Sequence, residues 1–273
     1  MKQVAIVIPI YKNSVSKYEL ISLKQCEKIL SNYPKIIIKS KGLPIPDYLK
    51  NLTILEIINF DGNYFDSIAG YNKLMLSEEF YSQFLDYKFM LIYQLDCFVF
   101  SDKLGYWCNK NWDYIGAPWI SKTYNKNWLE IKYKKFIQYF KQRLNTVDNS
   151  LPNQYQFNNR VGNGGLSLRK VKKMYDLCII LKPKIGFYLK QKSNLYNEDV
   201  FWSIEVNRNT RVINIPHCHE ALTFAFEVPP VKASDLNHKN LPFGCHDWDK
   251  YEDYWQPIFM QYIYDITENN GDV

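Results

Sequence analysis

The sequence predicts an α/β protein with a mostly parallel central sheet, flanked by helices and closed into one compact domain. Three observations carry that prediction. Through the first hundred positions, short runs of strand formers alternate with stretches whose apolar residues recur at helical spacing, as βαβ units with right-handed crossovers require. The stretch 88–100, KFMLIYQLDCFVF, is apolar almost throughout, as a strand buried on both faces of a parallel sheet must be. Finally, 273 residues without a repeat, a low-complexity segment or a linker-like stretch suffice for one α/β domain with a sizeable core.

Val4–Ile10 reads as the first strand. Ser16–Leu30 follows as a helix, with Tyr18, Ile21, Leu23, Cys26, Ile29 and Leu30 on one face. After Pro34, Ile36–Ile38 reads as the second strand, 43–47 with its two prolines as a loop, and Thr53–Ile58 as the third strand. Asp61-Gly62 marks a turn. Ser67–Leu85 reads as one helix, capped by Asp66 or Ser67, leading into the 88–100 strand. Beyond that strand the pattern is less regular. Gly116 and Pro118 turn the aromatic segment Trp112–Trp119. Asn127–Leu144 is an amphipathic basic helix with Leu129, Tyr133, Phe136, Ile137, Phe140 and Leu144 on one face. Thr146–Phe157 is polar and reads as a loop, and Val161–Lys170 as a glycine-rich turn and strand opening a helix to about Leu181.

Composition narrows the function classes. Hydrophobic residues are 47% and charged residues 23% of the chain, ordinary for a soluble protein. No stretch approaches the roughly 20 apolar residues that span a bilayer. The N-terminal apolar run, broken by Pro9, is short for a secretory signal, so a cytoplasmic location is expected. The six cysteines are scattered without a CxxC pair, which favours buried free thiols over disulfides or a zinc site. The net charge of +6 is concentrated: between Ser121 and Leu144 seven basic residues (Lys122, Lys126, Lys132, Lys134, Lys135, Lys141, Arg143) face one acid, Glu130. One basic patch argues against a general nucleic-acid binder. It leaves two readings for 127–144: a solvated helix packed on the body, or an interfacial helix meeting anionic lipid.

Four stretches carry candidate chemistry. Asp96 interrupts an apolar strand, where an ionised carboxylate is costly unless paired or metal-bound; at the carboxyl end of a central strand it would face a ligand crevice. Gly162, Gly164 and Gly165 lie within four positions of one another, as a tight turn or a close ligand approach demands. Glu198 and Asp199 follow Asn197 at a helix start, where acids complement the dipole or one of them serves as a base. His246 lies in the aromatic, turn-rich stretch 241–248. His217 and His219, taken as strand residues, would share a face beside Glu220 as a weaker metal candidate.

In this order, Tyr71-Asn72, IYQLDCFVF, DYIGAPW, VGNGGLSLRK, NEDVFW and FGCHDW resemble a family of GT-A-type glycosyltransferase-like proteins catalogued as a conserved domain of unknown function. The likeness spans about residue 64 to 248 and leaves 121–157 as a variable insertion. The resemblance implies a GT-A-like, Rossmann-like fold, with residues 1–100 as the nucleotide-sugar half and 101–273 as the acceptor half. It implies Mn²⁺ or Mg²⁺ held by Asp96 and His246. Gln94 stands where the family pattern D-x-D has its first carboxylate, and its amide is the expected contact to ribose or a bridging water. The likeness also implies Asp199 as base and Glu198 on substrate hydroxyls. Asn163, Gly164 and Gly165 would lie against the donor sugar, Tyr11 under the base, and Asn72 among the donor contacts. The expected activity is inverting transfer from a nucleoside-diphosphate sugar, UDP-linked by default, to a saccharide or lipid-linked saccharide, as in surface polysaccharide or glycolipid synthesis. With lipid contact through 127–144, the location would be peripheral on the inner membrane face. Gln94 keeps a second reading open, a non-catalytic glycan- or nucleotide-binding module on the same fold.

Overall fold

The computed structural model describes residues 1–121, 128–144, 147–148, 151–264 and 266. Lys122, Lys126 and Thr146 lie outside these residues, as do the side chains of Leu129, Glu130, Lys134 and Lys135.

The first strand, β1 (Lys2–Ile10), is buried on both faces from Val4 onward. Its side chains alternate: Ala5 and Val7 point into one layer of core, while Val4, Ile6, Ile8 and Ile10 point into the other. Helix α1 (Lys17–Ile29) starts at a capping box, with the Ser16 hydroxyl accepting from Glu19 N and the Glu19 side chain accepting from Ser16 N; such a cap contributes about 1 kcal/mol. Then come β2 (Lys35–Ser40) and β3 (Ile54–Phe60). The expected helix 67–85 is two helices, α2 (Ile68–Met75) and α3 (Glu78–Ser82). Ser77 separates them because its hydroxyl accepts from Phe80 N at 3.1 Å and so caps a new start. Strand β4 (Tyr87–Tyr93) follows.

The stretch 88–100 is not one strand. β4 ends at Tyr93, Cys97 N donates to Gln94 O at 3.0 Å to close a turn around Asp96, and Phe98–Val99 (β5) joins a different sheet. After α4 (Leu104–Lys110), the segment 112–119 forms two short strands, β6 (Tyr114–Ile115) and β7 (Pro118–Trp119). Helix α5 (Trp128–Arg143) then occupies the basic segment. On its apolar side, Tyr133, Phe136, Phe140 and Leu144 are exposed while Ile137 is half-buried. The expected loop 146–157 carries β8 (Val147–Asp148), β9 (Leu151–Pro152) and a 3-10 turn at Gln154–Phe157.

The glycine segment lies between β10 (Arg160–Val161) and β11 (Leu166–Lys170). Helices α6 (Val171–Ile180), α7 (Lys182–Tyr188) and the single turn α8 (Glu198–Val200) follow, and α8 widens into a π-helix at Phe201–Glu205. The chain closes through α9 (Cys218–Phe224), β12 (Ala225–Phe226), α10 (Pro230–Leu236), β13 (Gly244–Cys245) and α11 (Glu252–Phe259). His217 caps α9 instead of lying on a strand and is exposed. Glu220 is engaged by Lys110 and Trp112, so the expected His217–His219–Glu220 face does not form.

The main sheet runs β3-β2-β1-β4-β11-β6, with the first four strands parallel, β11 antiparallel to β4, and β6 antiparallel to β11 and so aligned with the first four. The chain runs outward from β1 through β2 to β3, then returns to place β4 on the other side of β1. The carboxyl ends of β1 and β4 therefore flank a topological switch point, where open α/β sheets form ligand crevices. A small sheet, β12-β13-β5, sits beside it over an aromatic cluster of Phe98, Phe100, Trp248, Trp255 and Phe259.

Candidate active site

A cavity of about 620 Å³ opens at the switch point. The ten residues to which the family resemblance gives roles line it: Tyr11, Asn72, Gln94, Asp96, Asn163, Gly164, Gly165, Glu198, Asp199 and His246. Tyr11 follows β1 and Gln94 follows β4, so the sheet alone accounts for their meeting.

The small sheet brings the metal-type ligands together. In β13, Cys245 pairs with Phe226 of β12 in parallel and with Phe98 of β5 antiparallel. The next residue, His246, therefore emerges beside Glu227 on one side and the Asp96 turn on the other. His246 Nε2 lies 3.1 Å from Asp96 Oδ1 and 3.3 Å from Gln94 Oε1. Its Nδ1 lies 3.1 Å from Asn163 Nδ2 and 3.8 Å from Glu227 Oε1. Asn163 fixes the cluster to the glycine segment: Nδ2 donates to Glu227 at 2.6 Å, and Oδ1 accepts from Gly165 N at 3.0 Å and Leu166 N at 3.2 Å. Burial opposes charge on both members of the central pair. For His246, Asp96 and Glu227 outweigh burial and hold the ring well above its usual pKa. For Asp96, the neighbouring His246 outweighs it and keeps the carboxyl below the ordinary range.

None of the described glycines has a positive φ. Left-handed backbone is therefore not what Gly162, Gly164 and Gly165 supply; close packing requires them. A Cβ on Gly165 would stand 2.0 Å from His246 Nε2, and one on Gly164 would stand 2.3 Å from Glu198 Oε1. Two consecutive glycines thus separate the histidine cluster from the acid pair by one residue of backbone.

The acid pair is asymmetric. Both Glu198 oxygens accept from Arg169, Oε1 from Nη2 at 2.8 Å and Oε2 from Nη1 at 3.0 Å. Arg169 is fully buried and also donates to Ser167 Oγ and Tyr81 Oη. Among the described residues Asp199 has no such cationic partner; its Oδ1 accepts from Val200 N. Burial, then Glu198, then Glu227 push its carboxyl up from the usual range to about 8, where a carboxylate becomes an effective base near neutral pH. Asn197 does not cap the turn with its own side chain. Asn72 on α2 does so from a distance, accepting from Glu198 N at 3.0 Å while its Nδ2 donates to Asn197 Oδ1.

A family model described as "protein of unknown function (DUF5672)" matches residues 54–246. The chain belongs to this family. No curated protein matches its sequence. Among solved structures, the chain is similar to the galactosyltransferase LgtC in complex with donor and acceptor sugar analogs. The two are 14% identical with a TM-score of 0.50, covering 89% of this chain and 86% of that one. It is also similar to core-mannan synthase A (CmsA/Ktr4) from Aspergillus fumigatus in its Mn/GDP form. There the identity is 12% and the TM-score 0.47, covering 76% and 70% of the two chains. The DUF5672 chain has a GT-A fold, a single α/β domain like that of the galactosyltransferase LgtC.

Three site residues escaped the sequence reading. Arg169 sits inside the recognised motif, but its pairing with Glu198 across 29 positions leaves no local signal. Glu227 has the signal that exposed Asp96, a carboxylate directly after an apolar strand, AFEVPP. Lys250 lines the cavity one turn past His246 and pairs with Asp247 at 2.7 Å.

Proposed function

We propose that this protein transfers a sugar from a nucleoside-diphosphate donor to a saccharide hydroxyl, with inversion, using Mn²⁺ or Mg²⁺. The observation that carries this reading is the Gly164-Gly165 junction, which sets an ion-ligating cluster and a raised-pKa carboxylate against one cavity at the sheet's switch point.

The residues fit a divalent cation. Asp96 Oδ1 is buried, its described neighbour is the His246 ring at 3.1 Å, and the two ligand atoms lie within 4.8 Å of one another, close enough to share one ion. One carboxylate oxygen and one imidazole nitrogen, completed by diphosphate and water, suit Mn²⁺ or Mg²⁺. Cys97 stands in the same group, but burial pushes its thiol well up, and a neutral thiol is a poor ligand. Glu227 stands behind Nδ1, where a carboxylate orients a metal-ligating imidazole. When bound, the cation would neutralise charge on the departing diphosphate.

The protein's own part is base, orientation and charge. Asp199 accepts the acceptor hydroxyl proton as that oxygen bonds to the anomeric carbon from the face opposite the diphosphate. The bond to the phosphate oxygen breaks, and the nucleoside diphosphate leaves with the electron pair. Arg169 holds Glu198 fixed beside this path, and Lys250 adds positive charge at the mouth. Tyr11, 41% exposed and edged by Phe65 and Tyr71, offers a ring to the nucleobase. The exposed aromatic side of α5, flanked by Lys132, Lys141 and Arg143, supports contact with anionic lipid and hence a lipid-linked acceptor at the inner membrane face. A cytoplasmic location belongs to the same proposal.

The test is transfer from a panel of nucleotide-sugars with Mn²⁺, read together with the anomeric configuration of the product. Inverted product from wild type, with Asp199→Asn inactive yet still binding donor, is the expected result. A retained anomer would remove Asp199 from the role of base. The non-catalytic module reading predicts glycan binding without any turnover.

A further inference from the structure

A second cavity, of about 410 Å³, lies where α5, β10 and the 207–218 segment meet. Its lining includes four arginines, Arg143, Arg160, Arg208 and Arg211, together with His217, and no carboxylate among the described residues. The site already described has the opposite character, with Asp96, Glu198, Asp199 and Asp247 among its lining residues.

Two details indicate a built pocket. Ser203 lines it, is only 6% exposed, and its Oγ has no hydrogen-bond partner among the described residues. A buried hydroxyl in that state is costly unless something enters to meet it. The second detail is Arg160, half-buried in the pocket wall, where desolvation pushes its guanidinium pKa down. Part of the charge is spoken for: Arg208 Nε donates to Glu205 Oε2 at 2.7 Å, and its Nη2 donates to Gln156 Oε1 at 3.2 Å. Arg143 donates to Tyr139 Oη at 2.8 Å, a neutral partner that leaves its charge in place. The 207–213 backbone is held in shape by Asn207, whose Oδ1 accepts from Val212 N and Ile213 N.

We propose that this arginine pocket is a phosphate-binding site, taking a phosphate monoester or diphosphate from a soluble ester or a lipid headgroup. A single carboxylate would be satisfied by one guanidinium fork, whereas several guanidinium groups around one buried hydroxyl match a multivalent oxyanion even with Arg208 held by Glu205. Two elements join the pocket to the active cavity. β10 lines the pocket at Arg160 and Val161 and runs directly into Asn163 and Gly164 of the active cavity. The helical turn that begins at Glu198 and Asp199 reaches Ser203 four residues later. Phosphate binding here requires neither the cation nor the transfer reaction, so it stands or falls separately from the proposed function.

The experiment is isothermal titration of inorganic pyrophosphate into the full chain in EDTA and 0.15 M salt, where diffuse surface attraction is screened. Saturable binding is expected, unchanged in Asp96→Ala and weakened at least tenfold in both Arg160→Gln and Arg211→Ser. Arg211 is exposed, so its variant tests the site even if Arg160→Gln fails to fold. Co-sedimentation with phosphatidylcholine vesicles carrying phosphatidic acid, competed by pyrophosphate, would assign the phosphate to a lipid headgroup. Pyrophosphate binding without co-sedimentation would assign it to a soluble ester. Absence of saturable binding in EDTA, or equal affinity in wild type and Arg211→Ser, overturns the site.

Discussion

At the scale of single residues the site is a set of charges that only make sense together. Asp199 is held protonated well above the usual carboxylate range by burial and by the neighbouring Glu198 and Glu227. A folded-state pKa above the unfolded value means the native state binds the extra proton, so stability falls as pH rises from about 4 towards 8. Two outcomes follow for Asp199→Asn. Its melting temperature should exceed that of wild type at pH 8–9 by calorimetry, and its transfer rate should drop about 10²- to 10⁴-fold, the usual contribution of a general base. The pH profile of kcat/KM for wild type should climb with pH through neutrality, pass half its maximum near pH 8 and level off above that, because the base works only when deprotonated. Arg169→Met should cost about 3–5 kcal/mol in denaturant unfolding, since it leaves the buried Glu198 without its partner. Gly165→Ala should abolish cation-dependent nucleotide binding by titration calorimetry while the fold persists. The new methyl would collide with the His246 ring, which lies beside the cavity and not in the sheet core.

At the scale of elements, what the sequence disclosed and what it concealed divide along physical lines. β1, α1 and β2 were legible because each is specified locally, by an apolar run, a helical apolar spacing or a proline break. The 88–100 stretch misled because an apolar run records burial and not which sheet buries it. The turn at Gln94–Cys97 hands the chain from the main sheet to the small one, and both are apolar. The antiparallel setting of β11 was equally hidden, since strand direction is set by the path of the intervening chain. Asp96 stood out as a carboxylate in a long apolar run; Glu227 did not, because its strand is two residues long and prolines follow. For α5, periodicity gave the helix and its two faces but could not say what covers the apolar one, and in the fold no described element buries Tyr133, Phe136 or Phe140. Changing Tyr133, Phe136 and Phe140 to serine should therefore leave thermal stability nearly unchanged and reduce sedimentation with anionic vesicles severalfold. Equal sedimentation would remove α5 as a lipid-contacting element.

At the scale of the whole molecule, one geometric fact organises the rest. The chain returns to the centre of its sheet after β3, so β1 and β4 end side by side and open a crevice between them. The small sheet delivers His246 and Glu227 to one wall, the glycine segment forms the floor, and α8 brings Asp199 to the other wall. A ligand that bridges these walls should stabilise the entire domain. A nucleoside diphosphate with Mn²⁺ at 100 times its dissociation constant is expected to raise unfolding free energy by about 2.7 kcal/mol, visible as a thermal shift that EDTA abolishes.

The most direct measurement of the central claim is release of nucleoside diphosphate from a panel of nucleotide-sugars with Mn²⁺, by wild type, Asp96→Ala and Asp199→Asn in parallel. The account predicts release from at least one donor by wild type and none above background by either variant. Release at the wild-type rate from both variants, or no release from any donor despite cation-dependent nucleotide binding, would contradict it.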